Sequence, residues 1–406
     1  MSVPLVLAVA PPDLSSLVLV LAASSLAALL SRMHRRIVLP TVVLEIVFGI
    51  LIGPEVLGWA RVDAYSLFLE NLGLAFLFFF AGLEVIEKRV PRSAIARATG
   101  GWGISLLLGL SVGAALQLAG LDASWWLLGI ALATTALGTL VPILSDAGLM
   151  PTQVGRAVLG TGVAGEFWPI VFISVFLTGT YGAAKEFVLL ILFGAIVALG
   201  AVVALRSRPP RIVAVLQATL TTTGQAAVRL ALLLLAALVL LAHDVGFDFV
   251  LGAFAAGLIA GIALDGPSGA TVRMRLEGIG FGFLIPIYFV VTGMTFDVDS
   301  LLTLKGLGLA AVFLALLLVV RGASALLWLG HLRRRETVGL ALFGATGLPL
   351  IVAIVGIGTD RGAISVAAGA SLIGAGMLSV LLFPLVGIRI VGRGAEPGVR
   401  ETQEEY

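Results

Sequence analysis

The sequence predicts an all-α polytopic membrane protein of about thirteen transmembrane helices, built as an inverted repeat of two six-helix halves with two crossed, discontinuous helices. Three observations predict it. The 406 residues are 60% hydrophobic and only 12% charged, with a mean hydropathy of +1.14, whereas a soluble domain carries roughly 25% charged residues. Apolar runs near the length needed to cross a bilayer recur along the whole chain. Two pairs of motifs recur at equal spacing, and a helix breaker sits at matching places in the two halves.

Reading apolar runs between polar or Gly/Pro punctuation places the spans at roughly 14–31, 37–53, 65–84, 98–119, 123–145, 152–179, 183–205, 226–242, 247–264, 277–294, 302–330, 336–358 and 362–388. The count falls to twelve if the short second run is re-entrant. With thirteen spans and the N-terminus outside, twenty Lys and Arg residues fall in cytoplasmic segments. Only Arg61, Lys185, Lys305 and Arg361 fall on the outer side, and the one cation left over, Arg321, lies within the eleventh span. Such an excess of cations on one side fixes orientation. The expected organisation is an extracellular segment over 1–13, a transmembrane domain over 14–390 and a disordered cytoplasmic tail over 391–406. Within the domain, repeat one covers 14–180, a linker helix 183–205 and repeat two 226–388. The membrane is expected to be the plasma membrane.

The repeat rests on spacing. FLFFFAGLEV around Gly82 resembles PIYFVVTGMTF around Gly293, and ATTALG (133–138) resembles ATGLP (345–349). Gly82 lies 53 residues before Thr135, and Gly293 lies 53 before Thr346. LEIVFGILIG (44–53) pairs more loosely with LGAFAAGLIAG (251–261). Seven spans separate equivalent positions, so the halves run in opposite directions, the arrangement used for alternating access.

Spans five and twelve carry the breakers. The fifth contains Thr134, Thr135, Gly138 and Pro142, and the twelfth Thr346, Gly347 and Pro349. Proline removes a backbone donor and glycine lowers the cost of unwinding. Irregular backbone at membrane depth is tolerated only in protein or beside a wet cavity. Two such helices crossing near the midplane offer helix ends and free carbonyls that handle ions.

Few ionisable groups lie inside spans, where a charge costs about 2.5–3.5 kcal/mol even on the lenient scale. Glu166 lies midway along the sixth span, roughly 20 Å from either surface at 1.5 Å per residue. Gly160, Gly162, Ala164 and Gly165 precede it and allow another helix to approach. A carboxylate there holds a proton or a counter-cation rather than a bare charge, so the two compete for it. Arg321 stays protonated. It stabilises the helix crossing, pairs with Glu166, or snorkels to the headgroups. Glu45 follows Pro40 near the cytoplasmic mouth, where it lines the mouth or packs between helices, and Glu70 lies near the outer end of its span.

Other chemistries find little footing. There is no cysteine and there are only three histidines, all near predicted helix ends. No nucleophile–base pair, metal cluster or phosphate loop is evident, so neither an enzyme nor a cofactor is expected. A net charge of +2 does not suggest nucleic acid.

These residues resemble the monovalent cation:proton antiporter-2 family of Kef-type and Nap-type exchangers, over about 14–390. The resemblance is carried by PTVVLEIVFGILIGPEVLG (40–58), LGLAFLFFFAGLEV (72–85), LGTLVPILSDAGLM (137–150), GRAVLGTGVAGE (155–166) and YFVVTGM (288–294). It implies a sodium/proton antiporter-like fold, a homodimer, a mobile core holding the crossed helices, and Glu166 as the site for H⁺ and Na⁺ or K⁺. The family's usual acid at this position is Asp after Asp or a polar residue; here the pair reads Gly165-Glu166. The eleventh-span lysine of charge-moving relatives is Arg321, and no charged pair follows ATGLPL. One titratable carboxylate beside a permanent cation predicts one-for-one electroneutral exchange. With only a short polar stretch after 390, the Kef-type nucleotide-sensing domain is not expected. The same scaffold could instead move an organic solute coupled to an ion, or serve as a channel or a transport-dead sensor.

Overall fold

The computed structural model of the chain describes residues 14–33, 40–87, 92–176, 191–200, 202, 225–264 and 267–392. The expected segment over 1–13, the tail beyond 392 and most of the linker over 183–205 lie outside the described residues. Among the described residues the fold is helical, and its only β pairing is two isolated bridges. The helices are α1 (Leu14–Met33), α2 (Thr41–Ile52), α3 (Ala64–Glu87), α4 (Arg92–Leu118), α5 (Trp125–Leu132), α6 (Leu137–Asp146), α7 (Gln153–Phe176), α8 (Ile191–Gly200), α9 (Ala226–Val245), α10 (Phe249–Ala263), α11 (Pro267–Ile279), α12 (Ile285–Met294), α13 (Val298–Leu302), α14 (Leu304–Gly322), α15 (Arg334–Gly344), α16 (Leu348–Asp360) and α17 (Val366–Val391).

Nine segments among these residues are long and apolar enough to cross a bilayer, and shorter apolar helices, α2 and α10 among them, accompany them. The chain is a multi-pass membrane protein. The tenth predicted span begins ten residues earlier than its hydropathy suggests. Pro267 opens α11, so Arg273 and Arg275 lie on a helix rather than in a loop. A π turn over Gly280–Leu284 then joins α11 to α12. Hydropathy missed this first stretch because Arg273, Arg275 and Glu277 lie on it beside the buried Val272 and Leu276.

The molecule divides into two compact units, one formed by residues up to Phe76 with Glu277–Val298, the other by Leu77–Leu276 with Asp299 onward. In the first unit α2 crosses α12 with no side chain between them. A Cβ on Gly49 would overlap the Val290 carbonyl, and one on Gly293 would overlap that of Ile46. Val20, Ile52, Ile287, Val290 and Met294 close the core around this crossing. In the second unit α10 crosses α3 in the same way. A Cβ on Gly257 would overlap the Phe79 carbonyl, and one on Gly82 that of Phe254. The correspondence is residue for residue. Gly82 and Phe79 map onto Gly293 and Val290 at an offset of 211, and Gly49 and Ile46 map onto Gly257 and Phe254 at 208. Each half therefore lends its second helix to the other half's third, as an internal two-fold requires. The mutual approach of glycines is what makes a backbone-to-backbone crossing possible in lipid, where no hydrophobic effect drives helices together.

The second unit also holds both broken helices. Leu140, Leu144, Val154, Ala157, Trp328 and Phe343 form a core that ties α6, α7 and α15 together. At one end Asp248 caps α10 by accepting from the Val250 N–H at 3.2 Å and meets Arg361 at 3.2 Å.

Candidate functional site

The fifth predicted span is two helices, α5 and α6, joined by non-helical Ala133–Ala136; the twelfth is α15 and α16, joined by Ala345–Gly347. The second helices start at Leu137 and Leu348, again 211 residues apart. The two breaks touch, because the Ala136 N–H donates to the Thr346 carbonyl at 2.6 Å. A Cβ on Gly347 would come within 2.7 Å of Thr134 Oγ1. Threonine hydroxyls compete with backbone donors for carbonyls and so favour such interruptions. Thr134 Oγ1 donates to Ala131 at 2.8 Å, and Thr346 Oγ1 to Leu342 at 3.4 Å.

Two expected breakers lie elsewhere. Gly138 is the second residue of α6, and Pro142 lies inside that helix rather than at the interruption. The threonines already release the backbone upstream, so the helix resumes before reaching either. Pro349 occupies the first turn of α16, where its missing N–H costs nothing. Gly347 stands at the break, as the residue before α16.

Arg321 is completely buried on α14, so its aliphatic reach is not used to snorkel. Its Nε and Nη2 donate to Thr135 Oγ1 at 2.8 and 2.6 Å, and Thr135 Oγ1 donates in turn to the Gly344 carbonyl at 2.5 Å. Nη1 reaches Ser105 Oγ at 3.3 Å and Nη2 the Thr161 carbonyl at 3.2 Å. One guanidinium therefore joins α4, α7, the α5–α6 break and the end of α15. A fixed fork of five donors suits this many acceptors.

Glu166 lies on α7 and is 6% exposed. Its Oε1 accepts from the Leu137 N–H at 2.6 Å and the Gly138 N–H at 3.4 Å. The carboxyl group thus caps the first turn of α6, where free amides and the helix dipole favour negative charge. Helix α7 comes this close because Gly162 faces Leu137, which leaves no room for a Cβ. Gly165, beside Glu166, faces Thr135 and Arg321: a Cβ there would lie 2.7 Å from Thr135 Oγ1 and 2.8 Å from Arg321 Nη2. The guanidinium and threonine fill the space a second acid would need.

Glu45 is buried on α2, at 4% exposure, rather than lining an open mouth, and it lies in the other unit. Several partners escaped sequence reasoning. Ser105 is one of several hydroxyls on α4, with nothing in its sequence setting it apart, and Trp102 Nε1 holds the break by donating to the Ala133 carbonyl at 3.0 Å. Trp102 stacks on Trp168 at 5.9 Å, and Phe167 meets Phe254 at 5.7 Å, so aromatic rings brace α7 on both sides of its acid. Glu84, at the end of the third predicted span, has its Oε1 as the nearest atom to the open side of Gly138.

The chain is 28% identical over 410 residues to YjbQ of Bacillus subtilis (strain 168), covering 96% of the chain and 65% of YjbQ. It is 25% identical to the cation/H⁺ antiporter 19 of Arabidopsis thaliana over 79% of the chain and 43% of that protein. It thus spans about two thirds of the first and less than half of the second. The Na⁺/H⁺ antiporter of Enterococcus hirae is 26% identical over 66% of the chain and 70% of its own length. The fold superposes on the sodium proton antiporter MjNhaP1 from Methanocaldococcus jannaschii with a TM-score of 0.67 at 19% identity, over 94% of this chain and 99% of that one. Residues 21–391 match the family described as sodium/hydrogen exchanger, transmembrane, and the chain belongs to it.

Proposed function

We propose that the protein is a secondary transporter, not an enzyme, that exchanges a monovalent cation, Na⁺ or K⁺, for H⁺ by competition at Glu166. The observation that carries this reading is the capping of α6 by Glu166 at the point where two broken helices cross. An oxygen held by two amides accepts their hydrogen bonds whether the group is a carboxylate or a carboxylic acid. The carboxyl group therefore stays in place while its load changes. Losing the proton leaves one negative charge in a low-dielectric site, and the cheapest remedy is one monovalent cation. Thr134, Thr135 and Thr346 surround the crossing with carbonyl and hydroxyl oxygens. The proton-loaded and cation-loaded forms then carry the same charge. Arg321 adds a constant that cancels from the comparison, which supports one-for-one, electroneutral exchange.

Relatives named as Na⁺/H⁺ and cation/H⁺ antiporters support the choice of ions. The distribution of Lys and Arg supports an outside N-terminus and an inside C-terminus in the plasma membrane. The family resemblance supports a homodimer.

The test is exchange in proteoliposomes followed with a pH-sensitive dye. Wild-type protein should dissipate an imposed pH gradient on addition of Na⁺, K⁺ or Li⁺. Clamping the membrane potential at different values should leave that rate unchanged. Glu166→Gln, which keeps the amide contacts but cannot release a proton, should be inactive. Full exchange by that variant would refute the site, and a rate that follows the potential would refute electroneutrality.

A further inference from the structure

We infer that Glu84 is a relay carboxylate that gathers the cation at the opening formed by Gly138 and passes it to Glu166. The inference rests on Glu166 as the exchange site.

Gly138 is the residue the two acids share. Its N–H faces Glu166 Oε1 at 3.4 Å, while a Cβ built on its open side would have Glu84 Oε1 as its nearest neighbour, at 3.9 Å. Leu137 and Leu140 around it are buried and Glu166 is nearly so, but Gly138 itself is exposed and Glu84 half-buried. The backbone beside Glu166 is thus open toward the side where Glu84 stands. An alanine would fit at Gly138 without collision, so packing does not demand glycine here.

Both acids are held by rigid supports. Glu84 follows Gly82 by half a turn, and Gly82 is locked against the α10 backbone at Phe254 and Leu258. Phe254 also meets Phe167, the neighbour of Glu166, at 5.7 Å. The same stretch of α10 therefore positions α3 and α7 with their carboxylates converging on the first turn of α6. A negative charge at the mouth of a narrow low-dielectric passage concentrates cations there. Its oxygens replace part of the water a cation sheds before reaching Glu166. A carboxylate acting this way changes how much cation is needed to fill the site, not the chemistry within it.

The test measures exchange rate against Na⁺ and K⁺ concentration in proteoliposomes for wild type, Glu84→Gln, Glu84→Asp and Glu166→Gln. For a unit charge within a few ångströms of the opening, Glu84→Gln should raise the half-saturating cation concentration about tenfold, with the maximal rate kept within about twofold. Glu84→Asp should recover most of the loss. The rise should shrink as inert salt is added, which a packing defect would not show. An unchanged half-saturating concentration in Glu84→Gln overturns the relay while leaving Glu166 as the site. So does a lost maximal rate at unchanged half-saturation. Exchange retained by Glu166→Gln overturns the site and the relay with it. Should Glu84→Gln not purify as a folded protein, Glu84→Asp decides, with about a threefold rise expected and no rise refuting the relay.

Discussion

The two broken helices share one geometry and do different work. Both resume at positions 211 residues apart, and both breaks are built from small residues and threonines. The first break offers the N-terminus of α6 to a carboxyl group: Leu137 and Gly138 donate to Glu166. The second offers the C-terminal carbonyl of α15 to a cation: Gly344 accepts from Arg321 Nε at 3.3 Å and from Thr135 at 2.5 Å. The opening turn of α16 carries Pro349 and spends no donor on an anion. Helix ends of opposite polarity thus face opposite charges. Duplication supplied a symmetric frame, and divergence made one break a place where a load can change and the other an anchor that cannot.

The strongest way to break this comparison is to remove the anchor. Arg321→Ala leaves Thr135, Ser105 and the Thr161 and Gly344 carbonyls short of donors in a dry interior and opens a cavity. Unmet buried groups and lost volume together should cost about 3 kcal/mol or more. A thermal melt in detergent should show a large fall in midpoint, with some exchange surviving in the folded fraction. Arg321→Lys should recover only part of the midpoint, since a point charge cannot serve acceptors spread over a fork. A normal melt for Arg321→Ala would remove the anchor from the account. Complete loss of exchange with a normal melt would instead give the arginine a direct part in transport.

A finer contrast uses the glycines of the two breaks. A Cβ on Gly347 lies 2.7 Å from Thr134 Oγ1 and 3.3 Å from the Thr134 carbonyl, and that hydroxyl is already committed to Ala131. A Cβ on Gly138 meets nothing closer than 3.9 Å. Gly347→Ala should therefore destabilise by about 1–3 kcal/mol through overpacking. Gly138→Ala should be neutral or slightly stabilising, because alanine is the better helix residue. Equal melts for the two variants would mean the anchor break is as loose as the other.

Much of this frame was legible in the sequence. Low charge and long apolar runs name the solvent, and the equal spacing of Gly82, Thr135, Gly293 and Thr346 reveals the repeat. The place where α5 ends was less legible. Glycine and proline signalled Gly138 and Pro142, whereas the threonine hydroxyls that divert the backbone act one turn earlier. The sequence left Arg321 open between the helix crossing, Glu166 and the headgroups. A long cationic side chain near a helix end reaches water or protein equally well, and acceptors from four distant segments decide between them. Glu84 was hidden for a similar reason. Its helix-end position reads as solvated, and only the backbone crossing at Gly82 turns it toward α6.

The smallest expected effect separates the two breaks at the level of single hydroxyls. Thr134 and Thr346 are both fully buried and both bond backward to a carbonyl, but at 2.8 and 3.4 Å. Valine has nearly the same shape, so Thr→Val removes the hydrogen bond with little change in packing. The deletion leaves an acceptor carbonyl that already takes part in its own helix, which limits the loss to the net worth of one bond. Thr134→Val should lower stability by about 1 kcal/mol, and Thr346→Val by about half that, because a bond stretched to the edge of hydrogen-bonding distance has little to lose. The midpoints of paired melts check the order. A larger loss at Thr346 would show that the second break depends on its own hydroxyl, and that Arg321 and Thr135 do not suffice to hold it.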